Sequence, residues 1–227
     1  MKHILDRPVW SALTSRHKAL SEGNDLARRY PASIVPFAAS RGNGEESVQA
    51  LDGLVAEGES IYMLQADEIV LPCGLAAVVT AQGVQMIAEQ PLPPIEEERI
   101  RPLCDADAAD MLELATLTKP GPFTLRALSL GRFWGVRIDG RLAAMAGERM
   151  KQDGFTELSG VCTHPDFQGR GLGRLMSRFA AGEIAASGNV AYLHAYASNT
   201  AATSLYASLG FRQRSEMNVA VVQREVR

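Results

Sequence analysis

The residues of this chain with the strongest chemical character lie together at His164-Pro-Asp-Phe-Gln168-Gly-Arg-Gly-Leu-Gly173-Arg174. Three glycines at alternate positions let backbone amides approach a ligand without a side chain in the way. The apolar residues that follow, Leu172, Leu175, Met176, Phe179, Ala180 and Ile184, share one face of a helix, so the glycines stand where that helix begins. Glycine replaces the Ser, Thr or Asp that would cap the first amides. Arg170, Arg174 and Arg178 gather at and after the positive end of the dipole, and no acidic residue occurs from Phe167 through Gly182. Cations there are unfavourable unless an anion joins them. Strand, glycine loop, helix start and arginines together describe a phosphate site. The plainer alternative is a tight turn with its arginines in solvent. Two better-known phosphate loops fail: no Lys-Ser or Lys-Thr follows the glycines, as a Walker loop needs, and GxGxG is not the dinucleotide fingerprint GxGxxG.

The hexapeptide Gln168-Gly-Arg-Gly-Leu-Gly173 resembles the Q/R-x-x-G-x-G/A loop of the GNAT superfamily of acyl-CoA-dependent N-acyltransferases. A second segment, Asn199-Thr-Ala-Ala-Thr-Ser-Leu-Tyr206-Ala-Ser-Leu-Gly-Phe211, looks like the family's N-x-x-A-x-x-x-Y-x-x-x-G-F pattern. The resemblance runs from about Ile100 to the C-terminus. It implies an α/β fold (an α+β mixed sheet) splayed open between the strands at 155–163 and 190–197. It further implies acetyl-CoA as acyl donor and a primary amine of a small molecule, amino acid or peptide as acceptor, joined by direct attack in a ternary complex. Val161, Cys162 and Thr163 would then pair their backbone with the pantetheine arm. The amides of Gly169, Arg170, Gly171, Leu172, Gly173 and Arg174, beside Gln168, would cradle the pyrophosphate. Asn199 and Ala202 would close around the arm near the thioester.

Within that resemblance two residues could move protons. Tyr206 matches the family tyrosine that points at the coenzyme sulfur, and a phenol with pKa about 10 can protonate or hydrogen-bond a leaving thiolate; the alternative is a core tyrosine. Glu157 lies eleven residues before Gln168, a spacing at which several GNAT branches place a general base. An ammonium must lose a proton before its nitrogen can attack; the alternative is a structural ion pair. On strand alternation Glu157 shares a side with Ser159, Val161 and Thr163. His194 is the second candidate base and Glu148 the third, with solvent as a further option. Cys162 falls on the other parity and reads as a small buried hydrophobe rather than an acyl-enzyme nucleophile. A coenzyme-sensing module without turnover is the competing reading, although it would need neither Tyr206 nor Glu157.

The elements that must position these groups follow from periodicity and punctuation. A strand at 98–103 precedes a helix at 105–117, with Asp105 as its N-cap. Strands at 133–138 and 141–146 flank Asp139-Gly140, a strong hairpin signal. A strand at 155–163, a helix at 171–187, a strand at 190–197, a helix at 200–209 and a strand near 218–222 complete this half, a mixed sheet flanked by helices. Upstream, helices are expected at 8–20 and 46–55, with strands at 60–64 and 84–87. His3 and His17 read as surface histidines. The segment Gln90-Pro-Leu-Pro-Pro cannot continue a helix or central strand, which places a boundary near residue 97: a smaller α/β N-terminal domain at 1–97 and the GNAT domain at 98–227, the latter holding the whole coenzyme site. The first part could be a degenerate copy of the fold, a lid over the acceptor or a module for homodimer formation.

The chain's 227 residues suffice for a sizeable core. Residues 1–97 carry 7 Lys+Arg and 13 Asp+Glu, while residues 98–227 carry 16 and 13. A mildly basic half suits a small anionic ligand, not a nucleic-acid duplex, which needs a dense basic face. No eighteen-residue apolar stretch spans a membrane. The start lacks the apolar core of a secretory signal. Cys73, Cys104 and Cys162 have neither CxxC spacing nor an even count, which fits no disulfide framework or zinc site and suits a reducing cytoplasm.

Overall fold

The structure, a computed structural model, describes residues 3–225. Pro8 opens α1 (Pro8–Thr14), where its missing amide is one that a helix leaves unpaired anyway. Three short strands follow, β1 (Glu22–Gly23), β2 (Ala27–Arg29) and β3 (Ala38–Ser40), paired in that order as a small antiparallel sheet. Next come α2 (Glu45–Asp52), β4 (Ser60–Gln65) and β5 (Leu75–Ala88). Beyond the prolines lie β6 (Ile100–Pro102), α3 (Ala108–Thr118), β7 (Phe133–Ile138), β8 (Arg141–Gln152), β9 (Phe155–Thr163), α4 (Leu172–Ala186), β10 (Val190–Tyr196), α5 (Thr200–Ser208) and β11 (Phe211–Arg224). Asp139 and Gly140 both adopt positive φ, 50° and 77°, the backbone a two-residue hairpin turn requires between β7 and β8.

Eight strands form one mixed sheet in the order β4-β11-β5-β10-β9-β8-β7-β6. The parallel pair β9/β10 is held only at Phe155–Val190, Thr156–Ala191 and Glu157–Tyr192. Beyond these rungs the strands part, which is the splay the resemblance implied. The apolar stripe of α4 (Leu172, Met176, Ala180, Ile184) packs with Leu158, Leu193 and Trp134. A separate cluster joins Met111 and Leu114 of α3 to Phe133, Met145 and Cys162. In a third, Val9, Ala12 and Leu13 of α1 meet Tyr30, Phe37 and Met150.

The sheet crosses the boundary expected near residue 97. β5 lies between β10 and β11, with Val84 opposite Ala195 on one side and Glu216 on the other. Periodicity finds only 84–87 of this strand because Ala77–Thr80 are exposed and carry no buried alternation. The proline segment is no free tether either: Leu92 packs into the α4 cluster, and a Cβ on Gly182 would stand 3.0 Å from the Pro93 carbonyl oxygen. The helix expected over 8–20 stops at Thr14, and the chain tightens into a 3₁₀ turn at Lys18–Leu20. Asp105 does not cap α3; Asp107 Oδ2 instead accepts from the Cys104 amide at 3.0 Å. His17 is buried rather than at the surface, its Nδ1 2.9 Å from the Tyr30 hydroxyl.

Candidate functional site

β9 ends in a short 3₁₀ turn, Pro165–Phe167, that delivers the glycine loop to the start of α4. Gly169 and Gly171 have φ of 75° and 74°, and a Cβ on either would meet nothing within 4 Å. These glycines are there for the left-handed backbone, and they leave the approach open. Gly171 is the N-cap and supplies no side-chain bond. The first amide to find a carbonyl within the helix is that of Leu175, donating to Gly171 at 3.0 Å, so the amides before it are left to a ligand or water. Gln168 is exposed and its own amide already donates to Pro165, leaving its side chain as its contribution. Arg170 lies 5.3 Å above the Phe167 ring. The Arg174 guanidinium is spent on α5, bonding the hydroxyl and the carbonyl of Ser208.

Where β9 and β10 part, a cavity of about 190 Å³ opens, many times the roughly 10–15 Å³ that one water needs by the same measure. Val161, Asn199, Ala202 and Tyr206 line it. Asn199 holds its own helix in place, its Oδ1 accepting from the Ala202 amide at 3.1 Å. Burial pushes the Tyr206 phenol up to about 12, so its proton is retained at neutral pH. Thr163 stands by the first turn of α4, its Oγ1 3.6 Å from where a Gly173 Cβ would lie. Cys162 is buried against α3, outside the cavity lining, and burial pushes its thiol up to about 12. A thiol held protonated in this way is a poor nucleophile.

Strand alternation does not survive to the end of β9. Gly160 has φ of 62°, and the β8/β9 register shifts between Met145 and Gly147. Leu158 and Val161 consequently pack in the same cluster with α4, so Val161 no longer shares the side that simple alternation gave it with Glu157.

Glu157 is fully buried and lies outside the cavity lining. Its carboxylate accepts from Arg149 Nε at 2.8 Å, Arg149 Nη2 at 2.6 Å, His194 Nδ1 at 2.7 Å and the Met150 amide at 3.3 Å. Burial alone would raise its pKa, but the Arg149 charge and these bonds outweigh it and bring it down to about 2. A carboxyl this acidic and this occupied is poorly suited to take a proton from an ammonium, which counts against the expected base. His194 borders the cavity, yet both its nitrogens are engaged: Nδ1 at Glu157, and Nε2 2.9 Å from Gln85 Nε2. Gln85 also donates to the Leu5 carbonyl and accepts from Arg214 through Oε1. The amide nitrogen therefore faces the ring, and the network assigns the His194 proton to Nδ1. Burial keeps that imidazole's pKa low against the pull of Glu157. Glu148 is a buried ion-pair partner of Arg132 and Lys151.

The family model for FR47-like proteins matches residues 134–220. The crystal structure of a protein assigned to the GNAT acetyltransferases, from Novosphingobium aromaticivorans DSM 12444, is 39% identical over 99% of this chain and 100% of its own, with a TM-score of 0.93. The chain belongs to the GNAT family. It is an acyltransferase, which sets aside the sensing module. A GCN5-related N-acetyltransferase from Kribbella flavida, 16% identical over 96% of this chain and 93% of its own (TM-score 0.60), shares the fold. The [Ribosomal protein bS18]-alanine N-acetyltransferase of Salmonella typhimurium is 42% identical over 76 residues, 33% of this chain; the match spans about half, 51%, of that curated relative. GNAT acetyltransferases use acetyl-CoA as cosubstrate, and the open, uncapped, acid-free loop at 168–174 suits a coenzyme diphosphate.

This GNAT cavity also has walls that motif reading missed. Phe37, Tyr62, Leu64 and Gly83 come from before residue 97, and Lys119 and Arg149 bring charge. Arg149 lies in the middle of an ordinary strand, where no spacing marks it. Lys119 carried a faint signal, standing just before Pro120-Gly-Pro122 in a loop.

Proposed function

We propose that this chain transfers an acetyl group from acetyl-CoA to the primary amine of a small molecule, by direct attack with donor and acceptor bound together. The observation that carries this reading is the presence of two features: the uncapped glycine start of α4, and the buried Tyr206 side chain lining the cavity between the parted strands. Amides from Gly169 to Arg174, with the Gln168 side chain, hold the diphosphate. The released edge of β9 at Val161, Cys162 and Thr163 offers its backbone to the pantetheine arm, and Asn199 and Ala202 flank the thioester.

The neutral amine bonds to the thioester carbon, the carbon–sulfur bond breaks, and the sulfur leaves with its electron pair. Tyr206 hydrogen-bonds or protonates that sulfur as charge develops, and solvent returns the proton. The acceptor's own proton leaves through cavity water, because Glu157 and His194 are both committed elsewhere. The positive charges of Arg149 and Lys119 on the cavity disfavour an ammonium and so favour the reactive form. Glu157 is a positioning residue that holds Arg149 and His194.

The test is Tyr206→Phe, which keeps the ring and removes the donor. Interactions made only in the transition state change kcat and not KM, and general acid catalysis contributes about 10²–10⁴-fold. Turnover measured by thiol release across an amine panel should fall at least roughly tenfold, with acetyl-CoA affinity nearly unchanged. Normal turnover in a folded Tyr206→Phe protein would remove this mechanism.

A further inference from the structure

Resting on the acetyl-transfer reading, one question remains: what the acceptor must carry. Arg149 reaches the cavity from β8 with two of its five donors used. Its Nε and Nη2 edge is locked on Glu157, and its guanidinium carbon lies 4.9 Å over the Phe37 ring. Nη1 makes no hydrogen bond among the described residues. It borders the cavity-lining Gly121, where a Cβ would stand 3.7 Å from it. A guanidinium offers five N–H donors in a rigid plane, and Glu157 and the strand hold this one with its outer end free.

We propose that the outer end of Arg149 binds the carboxylate of the acceptor, so that the acceptors are α-amino acids with apolar side chains. Glu157 balances the charge of Arg149 without using its outer donors, and Lys119 supplies the cation that a second carboxylate needs. Among the described residues lining the cavity there is no aspartate or glutamate to attract a second ammonium, which argues against diamines and polyamines. Phe37, Tyr62, Leu64 and Val219 form an apolar wall suited to a hydrocarbon or aromatic side chain. An acceptor lacking the carboxylate leaves the outer donors of Arg149 unpaired in a half-enclosed site, the situation in which a polar site rejects an analogue most strongly.

The experiment uses the full chain at saturating acetyl-CoA. Thiol release is measured with L-phenylalanine and L-leucine, with their amides, and with phenethylamine and isoamylamine. The free amino acids should exceed the uncharged partners by at least about tenfold in kcat/KM, mainly through KM. Arg149→Lys keeps a cation beside Glu157 but loses the planar fork, and should collapse that ratio. If the variant does not fold, the ratio in the unmodified protein decides alone. Amides or simple amines used as well as the amino acids would overturn the proposal, as would transfer confined to uncharged amines. Those results would leave acetyl transfer standing. An absence of both thiol release and stabilisation by acetyl-CoA would instead remove both readings.

Discussion

The two ends of the candidate site are built on opposite plans. At the α4 end, consecutive residues present backbone amides, Gly169 and Gly171 are exposed, and the helix start has no side-chain cap. At the Arg149 end, a carboxylate, a guanidinium, an imidazole and an amide come from β8, β9, β10 and β5, and each depends on the others for its hydrogen bonds. That network continues through Arg214 to Asp6, 2.7 Å away. Backbone-built sites tolerate substitution around them, whereas buried charge networks turn every deletion into an unpaired ion. The first end should therefore fail in binding and the second in folding.

The sharpest test removes residues 1–97. β10 and β11 would lose the strand between them and the α4 cluster would lose Val84 and Met86. The 98–227 fragment should show no cooperative thermal transition by circular dichroism; a folded, coenzyme-binding fragment would return the glycine end to full independence. Next in size is Glu157→Ala, which strands Arg149: about 3–5 kcal/mol of stability should be lost in denaturant melts, in line with broken buried pairs. A loss under about 1 kcal/mol would show that solvent already reaches the pair.

Gly171→Asp should act the other way. Its Cβ has open space, so the fold should survive with a modest cost for the left-handed backbone, while bulk and negative charge enter the anion site. Acetyl-CoA should then lose the stabilisation that a ligand selective for the folded state confers, read as an abolished thermal shift. Retained affinity would remove the phosphate-site argument.

Acid should find a buried histidine before it reaches the wired end. His17 is held neutral by burial, with pKa lowered from 6.5 to about 4. Between those values the unfolded chain binds the extra proton, so stability falls as pH drops through that window. Glu157, at about 2 against an ordinary 4.5, adds a second loss as pH falls from 4.5 towards 2. Stability measured by urea melts should decline in these two steps, the lower one diminished in Glu157→Gln. The smallest effect belongs to Arg174→Ala. Its side chain ties α4 to α5 at an exposed Ser208, so stability should change by less than about 1 kcal/mol, with coenzyme affinity held by the amide.

The same contrast explains what could be read in advance. The glycine loop, the Asn199–Tyr206 segment, the hairpin at Asp139-Gly140 and the central strands all express themselves over short windows. Arg149, Phe37, Tyr62 and Gln85 do not, because their neighbours are set by sheet order. Glu157 was found by its spacing, but its role depended on Arg149 and His194, which no local pattern connects to it. The parity of Val161 failed at one glycine, Gly160, whose positive φ has no signature among so many other glycines. β5 was half seen because its outer part is exposed on a strand that pairs mainly through its backbone.

The insertion of β5 also sets a timetable. Its neighbours on both sides, Tyr192–Tyr196 and Phe211–Arg224, are translated more than a hundred residues after it. At roughly 5–20 residues per second, the strand waits on the order of ten seconds at the ribosome before either partner exists. During that interval Val78 and Val79, 52% and 54% exposed even in the finished fold, belong to an unpaired strand. Such long-range pairing slows folding as well. The strand between β10 and β11 thus makes closure of the central sheet a late event in synthesis.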